Sequence, residues 1–344
     1  MALSPEGTRD SSARPWQLLL AFAIVYIVWG STYLAIRFAV ETMPPLLMAG
    51  TRFLAAGGLL YAWHAARARR SAGTIAGAHG ATRAQWRSAA VTGLFLISAA
   101  YGLVTWAELT VPSGIVALVT AMTPLWMVVI PWFARREHRP PPLVLAGIAI
   151  GLVAQALLFG LGDVDHSAID PWGMSAVVLA GIAWAMGSLR ARDDGLPADP
   201  ILGSAMQMLT GGLVLVIAGL LFGEAAHFSL ERVTLRSWLA WGYLVVAGSM
   251  VAYSAYLFLL KSTSAARAST YAYVNPIVAV ALGWLLAGEP IGWRTVIAMG
   301  LTLVAVVAIN RGAEERGVAD STSRASTGDS RPASAAPAYD SRER

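Results

Sequence analysis

Long apolar runs separated by short polar loops dominate the chain from residue 16 to residue 310. Most runs hold about 20 residues, which lets a helix rising about 1.5 Å per residue cross a hydrocarbon layer about 30 Å thick. We therefore predict an all-α integral membrane protein with ten transmembrane helices. The predicted spans are 16–39, 45–66, 87–107, 112–134, 142–161, 172–190, 200–222, 237–260, 267–288 and 293–310.

The ten runs divide into two halves of five spans, residues 16–161 and 172–310. Residues 1–15 form a polar N-terminal segment. The first run is long and no small-x-small cleavage site follows it, so we expect it to be retained as a span. Residues 311–344 are rich in Ser, Ala, Asp and Arg and have little to bury, so we expect a disordered tail.

The two halves repeat a pattern centred on a proline inside an apolar run. In the fourth run Pro124 is followed thirteen residues later by Glu137, and in the ninth run Pro276 and Glu289 have the same spacing. Because each half holds an odd number of spans, the second half must cross the membrane upside down relative to the first. Inverted repeats are typical of transporters, in which two related halves open a central site to either side.

Basic residues are distributed unevenly among the loops. The loops after the second, fourth, sixth and eighth runs carry most of the arginines, whereas acidic residues dominate the loops between them. The positive-inside rule places the arginine-rich loops, and with them both termini, in the cytoplasm.

Composition supports a lipid environment and excludes several classes of protein. The 344 residues are 56% hydrophobic and 13% charged, against about 25% charged residues in a typical soluble domain. The net charge of +5 comes from arginines in short loops, so we expect no nucleic-acid partner. The chain has no cysteine, and it lacks a Walker sequence, an HExxH motif and paired histidines. We therefore expect no cofactor and no metal.

Polar and aromatic side chains form stripes on several predicted spans. In the first, third and eighth spans they recur at steps of three or four residues, which places them on one helical face. Facing stripes suit a cavity that stacks on an apolar body and hydrogen-bonds a few polar atoms. Alternatively, the hydroxyls join helices and the rings lie at the membrane interface. The predicted cavity-lining residues are Tyr26, Trp29, Tyr33, Tyr101, Thr105, Thr120, Trp184, Tyr253, Tyr256, Tyr273 and Asn275.

Pro124 and Pro276 interrupt their spans near the middle. A proline removes one backbone hydrogen bond and frees a carbonyl about one turn earlier. We expect these prolines to act as hinges or to shape the cavity, and a static kink is the alternative.

Two charged residues lie in unusual places. Arg52 lies about 10 Å into the second span by helix rise, where a base needs a partner. The partner would be Glu41, Glu108 or an anionic substrate, and we expect a structural ion pair. Glu289 precedes the tenth span, where a helix N-terminus favours negative charge, so we expect it to cap that helix rather than to carry a proton.

Several of these residues resemble one transporter family. Trp29-Gly30-Ser31, Arg52, the mid-helix prolines and Gly288-Glu289 are similar to the EamA-type branch of the drug/metabolite transporter superfamily. The resemblance covers roughly residues 16–310. It implies a ten-helix carrier of the bacterial inner membrane, built from two inverted EamA repeats, often an exporter of amino acids, metabolites or drugs. The fourth span departs from the family pattern, because Glu137 follows two arginines instead of Leu-Gly.

We therefore expect a secondary carrier, not an enzyme, that exports a small zwitterionic or neutral metabolite by alternating access. An uptake carrier or passive facilitator of the same fold is the alternative. A membrane-embedded enzyme would need a catalytic constellation, which the spans lack, and the sparse loops disfavour a scaffold or sensor. Gly147 and Gly151 form a GxxxG pattern, which makes a homodimer possible.

Overall fold

A computed structural model describes residues 14–71, 81–134, 140–158, 170–193, 195–197, 199–262 and 270–327. Within these ranges the regular secondary structure is entirely helical. Most of the predicted N-terminal segment, Glu137 and the last part of the predicted tail lie outside the described residues.

Ten apolar helices account for most of the described chain. Eight are long and apolar enough to cross a membrane, and two, α5 and α9, are shorter. Five of the ten begin with proline, which fits the first helical turn because its missing N–H would have no partner there. The helices are α1 (Pro15–Val40), α2 (Pro45–Ser71), α3 (Arg83–Ala107), α4 (Ser113–Thr120 and Thr123–Ala134), α5 (Pro142–Leu158), α6 (Pro171–Asp193), α7 (Pro200–Leu221), α8 (Leu235–Tyr243 continued by Leu244–Val251 and Ala252–Ser262), α9 (Tyr271–Ala287) and α10 (Trp293–Thr327).

Three of these helices contain π-helical segments. The segments are Val25–Trp29 in α1, Leu94–Tyr101 in α3 and Leu244–Val251 in α8. Such segments are rare in proteins and are frequently found at functional sites. They mark the places where the candidate site is built.

Close packing between α2 and α7, and between α5 and α10, depends on glycine. A Cβ added at Gly57 of α2 would lie 2.9 Å from the Cβ of Met208 in α7. A Cβ at Gly147 of α5 would lie 2.9 Å from the carbonyl oxygen of Ala305 in α10. Small residues let backbones approach closely, which is the main way that helices bind each other in lipid. Gly147 of the GxxxG pattern in α5 therefore packs against α10 of the same chain.

The outer surface of the bundle is apolar. Leu221 is 81% exposed, Trp172 is 77% exposed and Phe133 is 71% exposed. A soluble monomer rarely shows so much contiguous apolar surface. Together with the length of the helices, this exposure indicates that the bundle faces lipid.

Glu289 caps a different helix from the one predicted. Its two carboxylate oxygens accept hydrogen bonds from the backbone N–H groups of Ser113, at 2.8 Å, and Gly114, at 3.1 Å. These are the first residues of α4, so the expectation that Glu289 caps α10 was wrong. The left-handed conformation of Gly288, with φ of 64°, turns the chain after α9 and brings the carboxylate to α4.

The same arrangement occurs after α7. Gly223 has φ of 78°, and Glu224 follows it. Its carboxylate accepts hydrogen bonds from the backbone N–H groups of Leu46, at 3.1 Å, and Leu47, at 2.8 Å, at the start of α2. Two Gly-Glu pairs of the second half therefore satisfy helix N-termini of the first half.

Candidate functional site

An aromatic cluster, defined as Trp29, Tyr256 and Tyr271, joins α1, α8 and α9. The ring centroid of Trp29 lies 5.1 Å from that of Tyr256 and 5.0 Å from that of Tyr271. The two tyrosine rings are 5.7 Å apart and perpendicular. These distances are typical of favourable edge-to-face pairs, worth about 0.5–1.5 kcal/mol each beyond burial. The indole N–H of Trp29 donates to the carbonyl oxygen of Gly248, at 3.1 Å, in the π-helical part of α8.

Tyr26 and Asn275 hold α9 against α1 beside this cluster. The hydroxyl groups of Tyr26 and Thr270 are 2.5 Å apart. The buried amide of Asn275 donates from its nitrogen to the backbone carbonyls of Tyr26 and Tyr271, at 3.2 Å each. Asn275 therefore links α9 to the main chain of α1 at Tyr26, and the Tyr26 hydroxyl in turn meets Thr270, directly before α9.

An arginine cluster, defined as Arg52, Phe53, Tyr101 and Ser249, lies on α2, α3 and α8. Arg52 is buried, and its Nε donates to Ser249 Oγ at 3.1 Å. Its guanidinium carbon lies 4.7 Å from the ring centroid of Phe53 and 5.4 Å from that of Tyr101. Since Ser249 follows Gly248, which binds Trp29, the two clusters meet on consecutive residues of α8.

Trp184 and Tyr253 extend the clusters towards α6 and α7. The ring of Trp184 meets that of Tyr101 edge-on, with centroids 5.7 Å apart. The ring of Tyr253 lies 6.4 Å from that of Tyr256, and its hydroxyl accepts a hydrogen bond from Ser204 on α7. Side chains of six helices, α1, α2, α3, α6, α8 and α9, thus contribute rings or charges to one region.

A second buried polar region lies near the end of α3. Thr105 and Glu108 are fully buried, and neither the Thr105 hydroxyl nor the two Glu108 carboxyl oxygens have a hydrogen-bond partner among the described residues. Arg37 donates to the main-chain carbonyl of Glu108 rather than to its side chain. Tyr33 lies beside Thr120, whose hydroxyl donates to its own helix at Val116. Buried polar atoms without partners are costly, and they are a frequent feature of functional sites.

Three of the predicted residues lie elsewhere. The hydroxyl of Tyr273 accepts a hydrogen bond from Asn310 of α10 at 2.7 Å, away from the aromatic cluster. Pro276 is buried inside α9, and Pro124 lies in the first turn of the second part of α4, directly after the break at residues 121–122. The role of the two prolines as hinges or in shaping a cavity stays a prediction.

Sequence reasoning missed Tyr271 and the burial of Glu108. Tyr271 and Asn275 are four residues apart and share a face of α9, whereas Tyr273 and Asn275 are two residues apart and cannot share one. That spacing was the available signal for Tyr271. The sequence offered Glu108 as a candidate partner of Arg52, but no local signal showed its burial, because that burial comes from neighbouring helices.

A cleft of about 280 Å³ lies between the start of α3 and the end of α6. It is separate from both clusters, and arginines contribute to its wall. Its lining residues are Ala84, Arg87, Ser88, Val91 and Arg190. In the described part of the chain there is no group of three or more His, Asp or Glu side chains that could hold a metal ion.

Residues 16–160 and 171–311 each match the EamA-like transporter family. The chain belongs to this family. A relative from Escherichia coli (strain K12), named uncharacterized inner membrane transporter YedA, is 39% identical over 293 residues, which cover 85% of this chain and 90% of the relative. Two other relatives have lower sequence identity. Protein PagO of Salmonella typhimurium is 26% identical, and the match covers 85% of this chain and 94% of PagO. Protein PecM of Dickeya dadantii is 26% identical, and the match covers 82% of this chain and 86% of PecM.

A solved crystal structure of another protein supports the fold. It aligns with a TM-score of 0.56 and 19% identity, over 86% of this chain and 98% of that one. Membership of the EamA-like transporter family and the apolar bundle together show a membrane transporter and not an enzyme.

Proposed function

We propose that this protein is a secondary carrier of the bacterial inner membrane that exports small metabolites, amino acids or drugs by alternating access. The observation that carries the proposal is the meeting of both halves in one site. The ring of Trp29 of the first half packs against the rings of Tyr256 and Tyr271 of the second half, and Arg52 of the first half donates to Ser249 of the second. A site held between two halves is what a carrier that rocks those halves requires.

Helix packing supports ten spans arranged as two inverted repeats. Each helix of the first half has a counterpart five positions later in the second half, so that α1 corresponds to α6 and α4 to α9. The first helix packs on α9, and its counterpart α6 packs on α4 in the same way. Similarly, α2 packs on α8, and their counterparts α7 and α3 also pack on each other. The contacts of α2 with α7 and of α5 with α10 join counterparts directly. Such exchange is expected of two related halves around a twofold axis.

Contacts between helix ends support the same topology. Glu224 and Glu289 bind the starts of α2 and α4, and Thr110 donates to Asp170 at 2.9 Å. An inverted ten-span topology places all of these ends outside the cytoplasm. It places His64 and Asp199, whose side chains are 2.9 Å apart, on the cytoplasmic side. Both termini are then cytoplasmic.

The π-helical segments supply a physical route to movement. In them the regular i to i−4 hydrogen-bond ladder of α1, α3 and α8 is interrupted next to Trp29, Tyr101 and Ser249. A helix bends at lower cost where this ladder is already altered. The halves can therefore rearrange around the aromatic rings while the capped helix ends remain in place.

Transport by the purified full chain tests the proposal. In liposomes loaded with a labelled amino-acid mixture, the wild type should speed release of at least one solute. Tyr101→Ala and Tyr253→Ala should slow release about tenfold, because loss of ring contacts worth about 1.4 kcal/mol changes a rate by that factor. The control is Tyr61→Ala, which removes a ring that packs on Trp86, outside both clusters. Absence of flux for any solute, or equal flux in all three variants, would contradict the proposal.

The absence of cysteine makes the topology directly testable. Single cysteines at Ala84 and Gly195, both exposed, should be protected from a membrane-impermeant maleimide in intact cells. Single cysteines at the exposed residues Leu109 and Ala225 should react. Labelling of Ala84→Cys and Leu109→Cys from the same side would refute the inverted arrangement.

A further inference from the structure

The cleft between the start of α3 and the end of α6 has no part in the proposed carrier site. Its wall consists of Ala84, Arg87, Ser88, Val91 and Arg190. Its volume of about 280 Å³ lies at the lower end of small-molecule sites, which hold about 300–1,000 Å³. Two guanidinium groups and a hydroxyl in a space of this size favour a compact anionic group.

The two arginines bring positive charge to the cleft from different helices. Arg87 belongs to α3 and Arg190 to α6, and both are exposed. Within the described part of the chain, Arg87 forms no ion pair with a carboxylate. Arginine presents parallel N–H donors that match the oxygens of a phosphate group. The cleft therefore suits a ligand that carries a phosphate.

Direct contact between α3 and α6 closes the cleft towards the middle of the bundle. A Cβ added at Gly187 of α6 would lie 2.7 Å from Leu96 Cγ and 2.9 Å from Phe95 Cβ of α3. Gly187 precedes Arg190 by three residues, less than one helical turn. A ligand held between the arginines therefore stays at the ends of these helices and does not enter either cluster.

Exposed apolar side chains continue from the cleft along both helices. Leu94 follows Arg87 by seven residues on α3, and Met186 precedes Arg190 by four residues on α6. These spacings place each pair on one face of its helix. Leu94 is 45% exposed and Met186 is 41% exposed. A cationic end beside an apolar surface matches a phospholipid, which joins a charged head group to acyl chains.

We propose that Arg87 and Arg190 bind the phosphate of an anionic phospholipid, whose acyl chains lie along Leu94 and Met186. This inference goes beyond the proposed carrier function and uses only its inverted topology, which places the start of α3 and the end of α6 at the cytoplasmic leaflet. Basic pockets between transmembrane helices on that side bind anionic head groups. The lipid is a bound partner of the bundle and not a transported solute.

Lipid binding to the purified full chain in detergent tests this inference. Native mass spectrometry measures occupancy of the first bound dioleoylphosphatidylglycerol or dioleoylphosphatidylethanolamine, each with and without excess inorganic phosphate. Phosphatidylglycerol should bind several-fold more tightly than phosphatidylethanolamine, whose ammonium group neutralises its phosphate, and inorganic phosphate should not displace it. Equal binding of the two lipids would indicate apolar contact only, and displacement by inorganic phosphate would indicate a site for free phosphate. Either result would overturn the inference.

Substitution of the arginines separates a built site from general surface charge. Arg87→Gln should weaken binding of phosphatidylglycerol about fivefold and Arg87→Gln/Arg190→Gln about 30-fold, because each arginine near an anionic lipid contributes a factor of about five. Arg83→Gln is the matched control and should leave binding unchanged, because Arg83 is also exposed and lies one turn earlier in α3, but is not part of the cleft wall.

Two outcomes with these variants would contradict the lipid site. Unchanged binding in Arg87→Gln would show that the cleft does not hold the head group. Equal losses in Arg83→Gln and Arg87→Gln would show attraction to surface charge alone. Because the measurement is lipid binding, it can fail while solute flux persists, and it can succeed in a protein that moves no solute.

Discussion

Removing the carboxylate of Glu289 should destabilise the start of α4. In Glu289→Ala, the backbone N–H groups of Ser113 and Gly114 lose acceptors at 2.8 and 3.1 Å. A lost N-cap costs about 0.5–2 kcal/mol, and the lost negative charge at the helix N-terminus costs about 0.3–1 kcal/mol more. Because Glu289 is half-buried, screening reduces the charge term, and we expect a total of about 2 kcal/mol.

Hydrogen exchange and reversible unfolding in detergent measure this loss. Exchange of the Ser113 and Gly114 amides should become about 30-fold faster, since about 1.4 kcal/mol corresponds to a factor of ten. The free energy of unfolding should fall by about the same 2 kcal/mol. Glu231→Ala is the matched control, because Glu231 is exposed and its side chain makes no hydrogen bond or ion pair with the described residues.

Gly283 offers an independent test of the same contact. A Cβ at this position would collide with Glu289 Oε2, so Gly283→Ala should displace the carboxylate and weaken the cap. The double variant Gly283→Ala/Glu289→Ala should then lose less stability than the sum of the single variants. Additive losses, or identical exchange rates in Glu289→Ala and Glu231→Ala, would refute the assignment of this cap.

Two further predictions concern packing and pH. Gly57→Ala should lower the free energy of unfolding by about 1–3 kcal/mol through overpacking on α7. In the control Gly58→Ala the new Cβ would meet nothing within 4 Å, so the free energy of unfolding should stay unchanged or rise by up to about 1 kcal/mol. Equal effects of the two substitutions in chemical denaturation would contradict the α2–α7 contact. Asp170 accepts hydrogen bonds from the Thr110 hydroxyl and from the first backbone N–H groups of α6, which lower the pKa of its exposed carboxyl. Its stabilising effect should be complete above a pH of about 4, near the ordinary pKa of aspartate, and should disappear as the pH falls through the lowered pKa of the folded protein. The free energy of unfolding, measured against pH, should therefore be lower for Asp170→Asn than for the wild type at neutral pH and equal to it in acid. A difference in this free energy that stays constant at all pH values would contradict the role of the Asp170 carboxylate.

The spans and the choice of family could be predicted from the sequence because both depend on local features. A run of about 20 apolar residues must form its backbone hydrogen bonds within itself in lipid, so hydropathy alone indicates a helix. Trp29, Arg52 and the Gly288-Glu289 pair carried the family resemblance without any knowledge of contacts.

The partners of these residues were decided by the tertiary structure. Glu289 caps α4, more than 170 residues away in sequence, because the turn at Gly288 and the packing of α9 bring it there. Tyr271 rather than Tyr273 joins the aromatic cluster, because the orientation of α9 against α1 selects one face of the helix. Periodicity shows which residues share a face, but only the packing of helices from both halves determines what that face meets. For the same reason the sequence showed that Arg52 is a cation within a span, and only the assembled bundle showed that it lies against Phe53, Tyr101 and Ser249.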